Sequence, residues 1–387
     1  MNKGIYMKQI IRQGYGLVFP LFFLFLSCTN GETVVTETSD DNSVKTGVTM
    51  AEELLETVVQ MQGTENVFCK EDSFDVEKIP TSQYVSRIAV SPDRSLLAYG
   101  DNSKDIFNEN GAYCVTVLST SDYGQKYLFN DNLSSIQAID FNNASNCILV
   151  SDHRKIVLHE LKRGESIATI NALNYITDVR FIADDKIVVL CGLDKVAYLY
   201  SNKGDLLNTF NTGTQINAMT INSAKNELVL AGHSKIQLWS LDDVALLKEL
   251  PTNILMSATI NPSKTQIAFG AHDGTIQLYT TDLIKVGELE GHFMPVLDVD
   301  YSANGGMLIS GSSDQSFRIW NTKAQEEIVE VFNEHRSMVH AVRFVNVAND
   351  FATGGDSNEL KIWRKEEVSK KKHGLILAPN KLNHIAK

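Results

Sequence analysis

Three groups of residues in this chain have types and spacings that chemistry could use. His292 and Asp314 can be read as a catalytic dyad, a base and the carboxylate that orients it. Asp298 and Asp300 alternate on one short apolar segment, and Asp140 and Asp178 hold comparable places earlier in the chain. Gathered at one point, such carboxylates could perform acid–base work or hold a metal. Cys28 follows a short apolar run and could accept a lipid. The motifs of other chemistries are missing: the chain has no Gly-rich phosphate loop, no HExxH and no GxSxG. Cys69, Cys114, Cys147 and Cys191 show no CxxC pair and no metal-ligand spacing, and Cys114 and Cys191 fall in or beside strands as packed thiols would. No cofactor and no metal are expected.

The elements that must position these residues are short strands. From Glu288 to Asn321 the chain gives Gly291-His292, an alternating segment (Leu297, Val299, Tyr301), a loop, Met307 to Ser310, a polar Ser313-Asp314 turn, and Phe317 to Trp320. Period-2 alternation places one set of side chains on one sheet face. Three antiparallel strands are predicted here, with a fourth from Glu327 to Phe332. The unit recurs. Leu118, His159, Tyr200, Trp239, Tyr279, Trp320 and Trp363 follow one another at 39 to 43 residues. An alternating strand precedes each: Val85 to Val90, Ile136 to Phe141, Ile176 to Phe181, Ile216 to Ile221, Leu255 to Ile260, Val296 to Tyr301 and Val339 to Phe344. A period near 40 marks a repeat architecture in which no unit buries its own faces.

The Glu288–Asn321 unit closely resembles a WD40 repeat. The resemblance implies an all-β fold, a seven-bladed β-propeller of four-stranded antiparallel blades over residues 67–366. It also implies a hydrogen-bonded set in well-kept blades: a His before the first strand, a Ser or Thr on the second, an Asp in the next turn and a Trp on the third. The matching residues are His292, Ser310, Asp314 and Trp320, then His335, Thr353, Asp356 and Trp363. A buried network of this kind makes the His292–Asp314 dyad structural rather than catalytic. His153 and His233 fall at the corresponding turns. The last copy stops one strand short, after Trp363. Phe74 to Ile79 lies where an outer strand belongs and is expected to pair with the last copy and close the ring.

The N-terminus reads differently. Lys3, Lys8 and Arg12 precede the apolar run Leu17 to Leu26, the anatomy of a secretory signal over residues 1–27. Phe25-Leu26-Ser27-Cys28 loosely resembles a bacterial lipobox, which implies a lipidated Cys28. Residues 28–49 are polar and acidic and are expected to be a disordered tether. A short amphipathic helix is expected over 50–63, with Thr49 and Glu52 as a capping box and Gly63 as the stop. The 367–387 tail is basic.

The net charge of −12 argues against nucleic acid as partner. The expected function is a non-catalytic, monomeric protein-interaction scaffold that binds other proteins through its top-face loops. The lipid anchor would hold it to a membrane of the bacterial cell envelope; an unprocessed signal would leave it cytoplasmic. Tyr84, Tyr175, Phe293, Met294 and Arg336 are the candidate contact residues, since aromatic residues, Met and Arg are enriched in binding cores. The alternatives are a hydrolase or lactonase using channel carboxylates, or an envelope assembly factor.

Overall fold

The computed structural model describes residues 25–29, 32–36, 74–81, 84–102, 113–182, 186–191, 195–332, 335 and 337–365. The chain divides into two units, Met1–Val67 and Phe68–Lys387. In the first, β1 (Phe25–Thr29) pairs antiparallel with β2 (Glu32–Thr36), and Cys28 stands opposite Thr33. The stretch expected as an irregular tether thus contains a strand. Thr33, Val34, Val35 and Thr36 are β-branched, and the Asn30-Gly31 sequence between the strands is a hairpin signature. The helix expected over 50–63 and the basic tail at 367–387 lie outside the described residues.

The second unit contains strands and no helix among its described residues. Its strands form seven four-stranded antiparallel sheets, the blades of a β-propeller. Blade 1 is β4–β7 (Tyr84–Val90, Leu96–Asn102, Tyr113–Ser119, Gln125–Leu133). Blade 2 is β8–β11 (Ala138–Phe141, Cys147–Ser151, Lys155–Glu160, Glu165–Asn171). Blade 3 is β12–β15 (Asp178–Phe181, Ile187–Cys191, Val196–Tyr200, Leu206–Asn211). Blade 4 is β16–β19 (Ile216–Asn222, Glu227–Gly232, Lys235–Ser240, Leu246–Pro251). Blade 5 is β20–β23 (Leu255–Ile260, Gln266–Ala271, Ile276–Thr280, Lys285–Leu289). Blade 6 is β24–β27 (Val296–Tyr301, Met307–Ser312, Ser316–Asn321, Glu326–Phe332). Blade 7 takes β28–β30 (Val339–Phe344, Phe351–Gly355, Glu359–Lys365) and completes itself with β3 (Phe74–Pro80).

The strand Phe74–Pro80 runs antiparallel to Glu359–Lys365, from Phe74 opposite Lys365 to Pro80 opposite Glu359. Each blade's first strand is innermost and packs beside the next blade's; β28 returns to β4, so the ring closes. The propeller's first and last strands in sequence thereby share one sheet. This removes two exposed edges at once, since an unpaired strand leaves its N–H and C=O groups without partners.

The repeat has a structural counterpart at every marker position. Leu118, His159, Tyr200, Trp239, Tyr279, Trp320 and Trp363 each face an apolar residue of the second strand: Leu97, Ile148, Ile187, Leu228, Ile267, Leu308 and Phe351. The core lies between blades rather than at the axis. One cluster joins blades 6 and 7 through Phe317, Val339, Phe351 and Trp363, with Val76 of the closing strand against it. The next joins blades 7 and 1 through Leu360, Ile362, Val85 and Ile88, with Ile79 against it. The closing strand therefore reaches the core on both sides of blade 7. Close approach between blades needs a small residue on the second strand. A Cβ on Gly311 would meet Val339 Cγ1 at 2.8 Å, and one on Gly354 would collide with Val85 Cγ1.

Candidate functional site

His292, Ser310, Asp314 and Trp320 meet in blade 6. His292 Nδ1 lies 2.8 Å from Asp314 Oδ2, and His292 Nε2 lies 2.8 Å from Ser310 Oγ. Trp320 Nε1 donates to Ser310 Oγ at 2.9 Å. Charge and donor count settle the direction of each bond. The indole can only donate, so the hydroxyl accepts it and donates its own O–H to His292 Nε2. His292 then donates Nδ1–H to the carboxylate. Asp314 also takes Ser316 Oγ at 2.6 Å and Ser316 N at 3.0 Å. Burial lowers the His292 pKa despite the carboxylate beside it, so the ring stays neutral. Burial pushes Asp314 upward, but the hydrogen bonds from His292 and Ser316 outweigh it and hold the carboxyl at about 2.

The order Ser310–His292–Asp314 matches that of a hydrolytic triad. Its surroundings block that chemistry. Ser310 is 0% exposed, its oxygen is occupied by the indole, and the His292 and Asp314 side chains are themselves fully enclosed. A nucleophile needs an approach path for its substrate, and here the same groups instead cross-brace two strands, the turn between them and the inter-blade loop.

Blade 7 repeats the arrangement with one substitution. His335 Nε2 lies 2.8 Å from Thr353 Oγ1, which accepts Trp363 Nε1–H at 2.8 Å. The fourth place belongs to Ser357, whose Oγ is 2.9 Å from His335 Nδ1. Asp356, the residue expected there, lies one position early and meets His340 Nε2 at 3.2 Å instead. The count explains the error. Asp314 is four residues beyond Ser310, and four beyond Thr353 is Ser357. Burial, then the Lys361 ammonium, push His335 down to about 3, against a smaller opposing pull from Asp356.

The blade 6 network also fixes a rim loop. Phe293 N donates to Asp314 Oδ2 at 3.3 Å, and Ser312 Oγ donates to the carbonyls of Met294 and Pro295 at 3.1 and 3.0 Å. The next side chains out are Phe293, 68% exposed, and Met294, 41% exposed. An apolar pair thus stands in solvent on a backbone held from below. Tyr175, on the loop between blades 2 and 3, is exposed and stacks on His153, with its hydroxyl 2.7 Å from Nε2. Tyr84 is half-buried with its ring 5.8 Å from that of His340. Arg336 lies outside the described residues. Sequence reasoning missed Leu173 and Met338, which are exposed on the same class of inter-blade loop; an apolar residue in an otherwise polar connection was the available signal.

Residues 283–321, which span the last strand of blade 5 and the first three strands of blade 6, match the family model "WD domain, G-beta repeat". This stretch is thus similar to a WD40 repeat. Relatives agree. Nuclear distribution protein nudF 1 of Talaromyces marneffei is 34% identical over 117 residues, 29% of this chain and 25% of that protein. Serine-threonine kinase receptor-associated protein of Gallus gallus is 26% identical over 196 residues, 48% of this chain and 55% of that protein. APC/C activator protein CDC20 of Saccharomyces cerevisiae is 24% identical over 157 residues, 39% of this chain and 26% of that protein. The matches therefore span between a quarter and about half of these proteins' length.

In this propeller three of the candidate carboxylates, Asp140, Asp298 and Asp300, link neighbouring blades. Asp140 Oδ2 accepts Phe181 N–H at 2.8 Å, and Asp300 Oδ2 accepts Phe344 N–H at 2.8 Å. Asp298 Oδ2 accepts Val342 N–H at 3.0 Å and Arg343 Nη1 at 2.5 Å. Asp178 pairs with Arg180 at 3.5 Å. The sequence leaves these acids isolated from one another and from any partner, whereas strand alternation turns them toward the axis, where inner-strand arginines meet them. Among the described residues no group of three His, Cys, Asp or Glu side chains could hold a metal ion.

Proposed function

We propose that this chain is a non-catalytic protein-interaction scaffold that grips partners with its inter-blade rim loops. The observation that carries the reading is the exposed Phe293–Met294 pair on a loop braced by the buried network. Exposed aromatic and Met side chains on a pre-ordered backbone lose little freedom on binding, which favours affinity. The WD40 repeat supports a partner-binding role, as do relatives named as an activator and as a receptor-associated protein. Crosslinking in intact cells with mass-spectrometric identification tests it. Proteins captured by the wild type should be lost from Phe293→Ala/Met294→Ala, which alters only exposed side chains. Identical capture by both would remove the rim from consideration.

The same proposal extends to location. The apolar run before Cys28 and its loose lipobox support a lipidated cysteine that holds the propeller at a membrane of the bacterial cell envelope. Cleavage before Cys28 would also remove Phe25–Ser27 and dissolve the β1–β2 pairing. Metabolic labelling with a fatty-acid analogue should mark the wild type and not Cys28→Ala; equal labelling of both rules the site out.

A further inference from the structure

The inner strands enclose a cavity of about 330 Å³ at the end of the channel where they exit into their turns. All seven blades line it, among them Asp140, Arg180, Thr220, Thr259, Asp300 and Arg343, and two turn residues, Arg94 and Lys264, complete it. Its volume is at the lower end of small-molecule sites, roughly 300 Å³ upward.

The charges are unequal in how far they are satisfied. Asp140 and Asp300 each accept a backbone N–H from the next blade, and Asp298 is bound to Val342 N and Arg343. Arg180 is paired with Asp178, and Arg87 donates to the carbonyls of Ser86 and Gln137. At the mouth, Arg94 Nη1 donates to Phe344 O at 3.0 Å. The ammonium of half-buried Lys264 has no hydrogen-bond or ion-pair partner among the described residues, and burial pushes its pKa down. Lys225 occupies the corresponding turn of blade 4 and points its charge at Asp282 at 2.7 Å. The same turns of blades 6 and 7 hold the short residues Gly305 and Asn349, both left-handed. Lys264 and Arg94 are also left-handed, at φ 57° and 59°. Two long cations thus occupy backbone positions that favour glycine, and both reach the cavity.

We propose that this end of the channel binds a small dianion of the sulfate or phosphate type, held by Lys264 and Arg94 with Arg180 and Arg343 beneath. The proposal is independent of protein binding at the rim. Four cations line the cavity, Arg94, Arg180, Lys264 and Arg343, against two carboxylates, Asp140 and Asp300. The net charge there is positive in a chain whose total is −12. Burial raises Asp140 and Asp300 to about 6 each, so acidification neutralises them and strengthens the attraction.

Isothermal titration of the full chain with sodium sulfate, against sodium chloride at equal ionic strength, tests this at pH 7.5 and 5.5. Sulfate keeps its charge across that range. One saturable site is expected, at least threefold tighter at pH 5.5. Lys264→Gly suits the left-handed backbone, so it should fold, and it should weaken binding tenfold or more. Lys264→Arg should keep the site. Asp300→Asn should tighten binding at pH 7.5 and flatten the pH dependence. Absence of a saturable heat at both pH values, or unchanged affinity in Lys264→Gly, would overturn the proposal.

Discussion

Ser310→Ala isolates the buried network of blade 6. The substitution removes one oxygen and leaves two orphans: His292 Nε2 loses its donor at 2.8 Å, and Trp320 Nε1 loses its acceptor at 2.9 Å. Trp320 is 2% exposed and His292 6%, so neither can turn to bulk water. A buried polar group left without a partner costs about 1–3 kcal/mol. Two such groups, with some relaxation, give about 3–4 kcal/mol. For a domain of this size that lowers Tm by roughly 6–8 °C. Thermal and urea unfolding would measure it. Ser310→Thr is the control, because blade 7 uses Thr353 at the same place with bonds of 2.8 Å to both partners. It should retain stability to within about 1 kcal/mol. A loss under about 0.5 kcal/mol in the alanine variant, or equal losses in both, would refute the cross-bracing argument.

The displaced aspartate gives a second test: Ser357→Ala should cost about 1–2 kcal/mol by orphaning His335 Nδ1, more than Asp356→Ala, as read by urea midpoints. Gly354→Ala should cost about 1–3 kcal/mol, because the added Cβ meets the stiff Val85 side chain where blade 7 meets blade 1. Acid should weaken the fold through His335. Its folded value of about 3 lies below the unfolded value near 6.5, so only the unfolded chain takes up that proton as pH falls through this window. Asp140 and Asp300 act oppositely. Their folded values of about 6 lie above the unfolded value near 4, so they add stability as pH falls through 6. Asp140→Asn/Asp300→Asn should therefore lose stability more steeply than wild type between pH 6 and 4, measured by urea unfolding at each pH.

What was legible in the sequence was whatever repeats. The seven marker positions share one register slot because the spacing near 40 residues reports a backbone unit, and worn side chains such as Leu118 or His159 still fill that slot. The blade 6 residues could be named because Ser310 and Asp314 keep their offset. Blade 7 misled because it has an aspartate, Asp356, one place from where the geometry needs a polar group, and Ser357 is an unremarkable residue by type. The channel charges were read as isolated because nothing local in the chain says that Asp298 meets Arg343 of the next blade. That pairing exists only once the two blades pack side by side.

Ring closure by the N-terminal strand is the claim on which the rim, the channel and the blade 7 core all depend. Removing residues 1–68 leaves the Phe74–Pro80 strand in place, while removing residues 1–80 takes it away. The comparison of their melting temperatures tests closure directly. The shorter deletion should melt with the full chain. The longer one exposes the Glu359–Lys365 edge and strips Val76 and Ile79 from two core clusters, so it should melt at least about 10 °C lower or fail to fold. Equal melting of the two deletions would contradict the account.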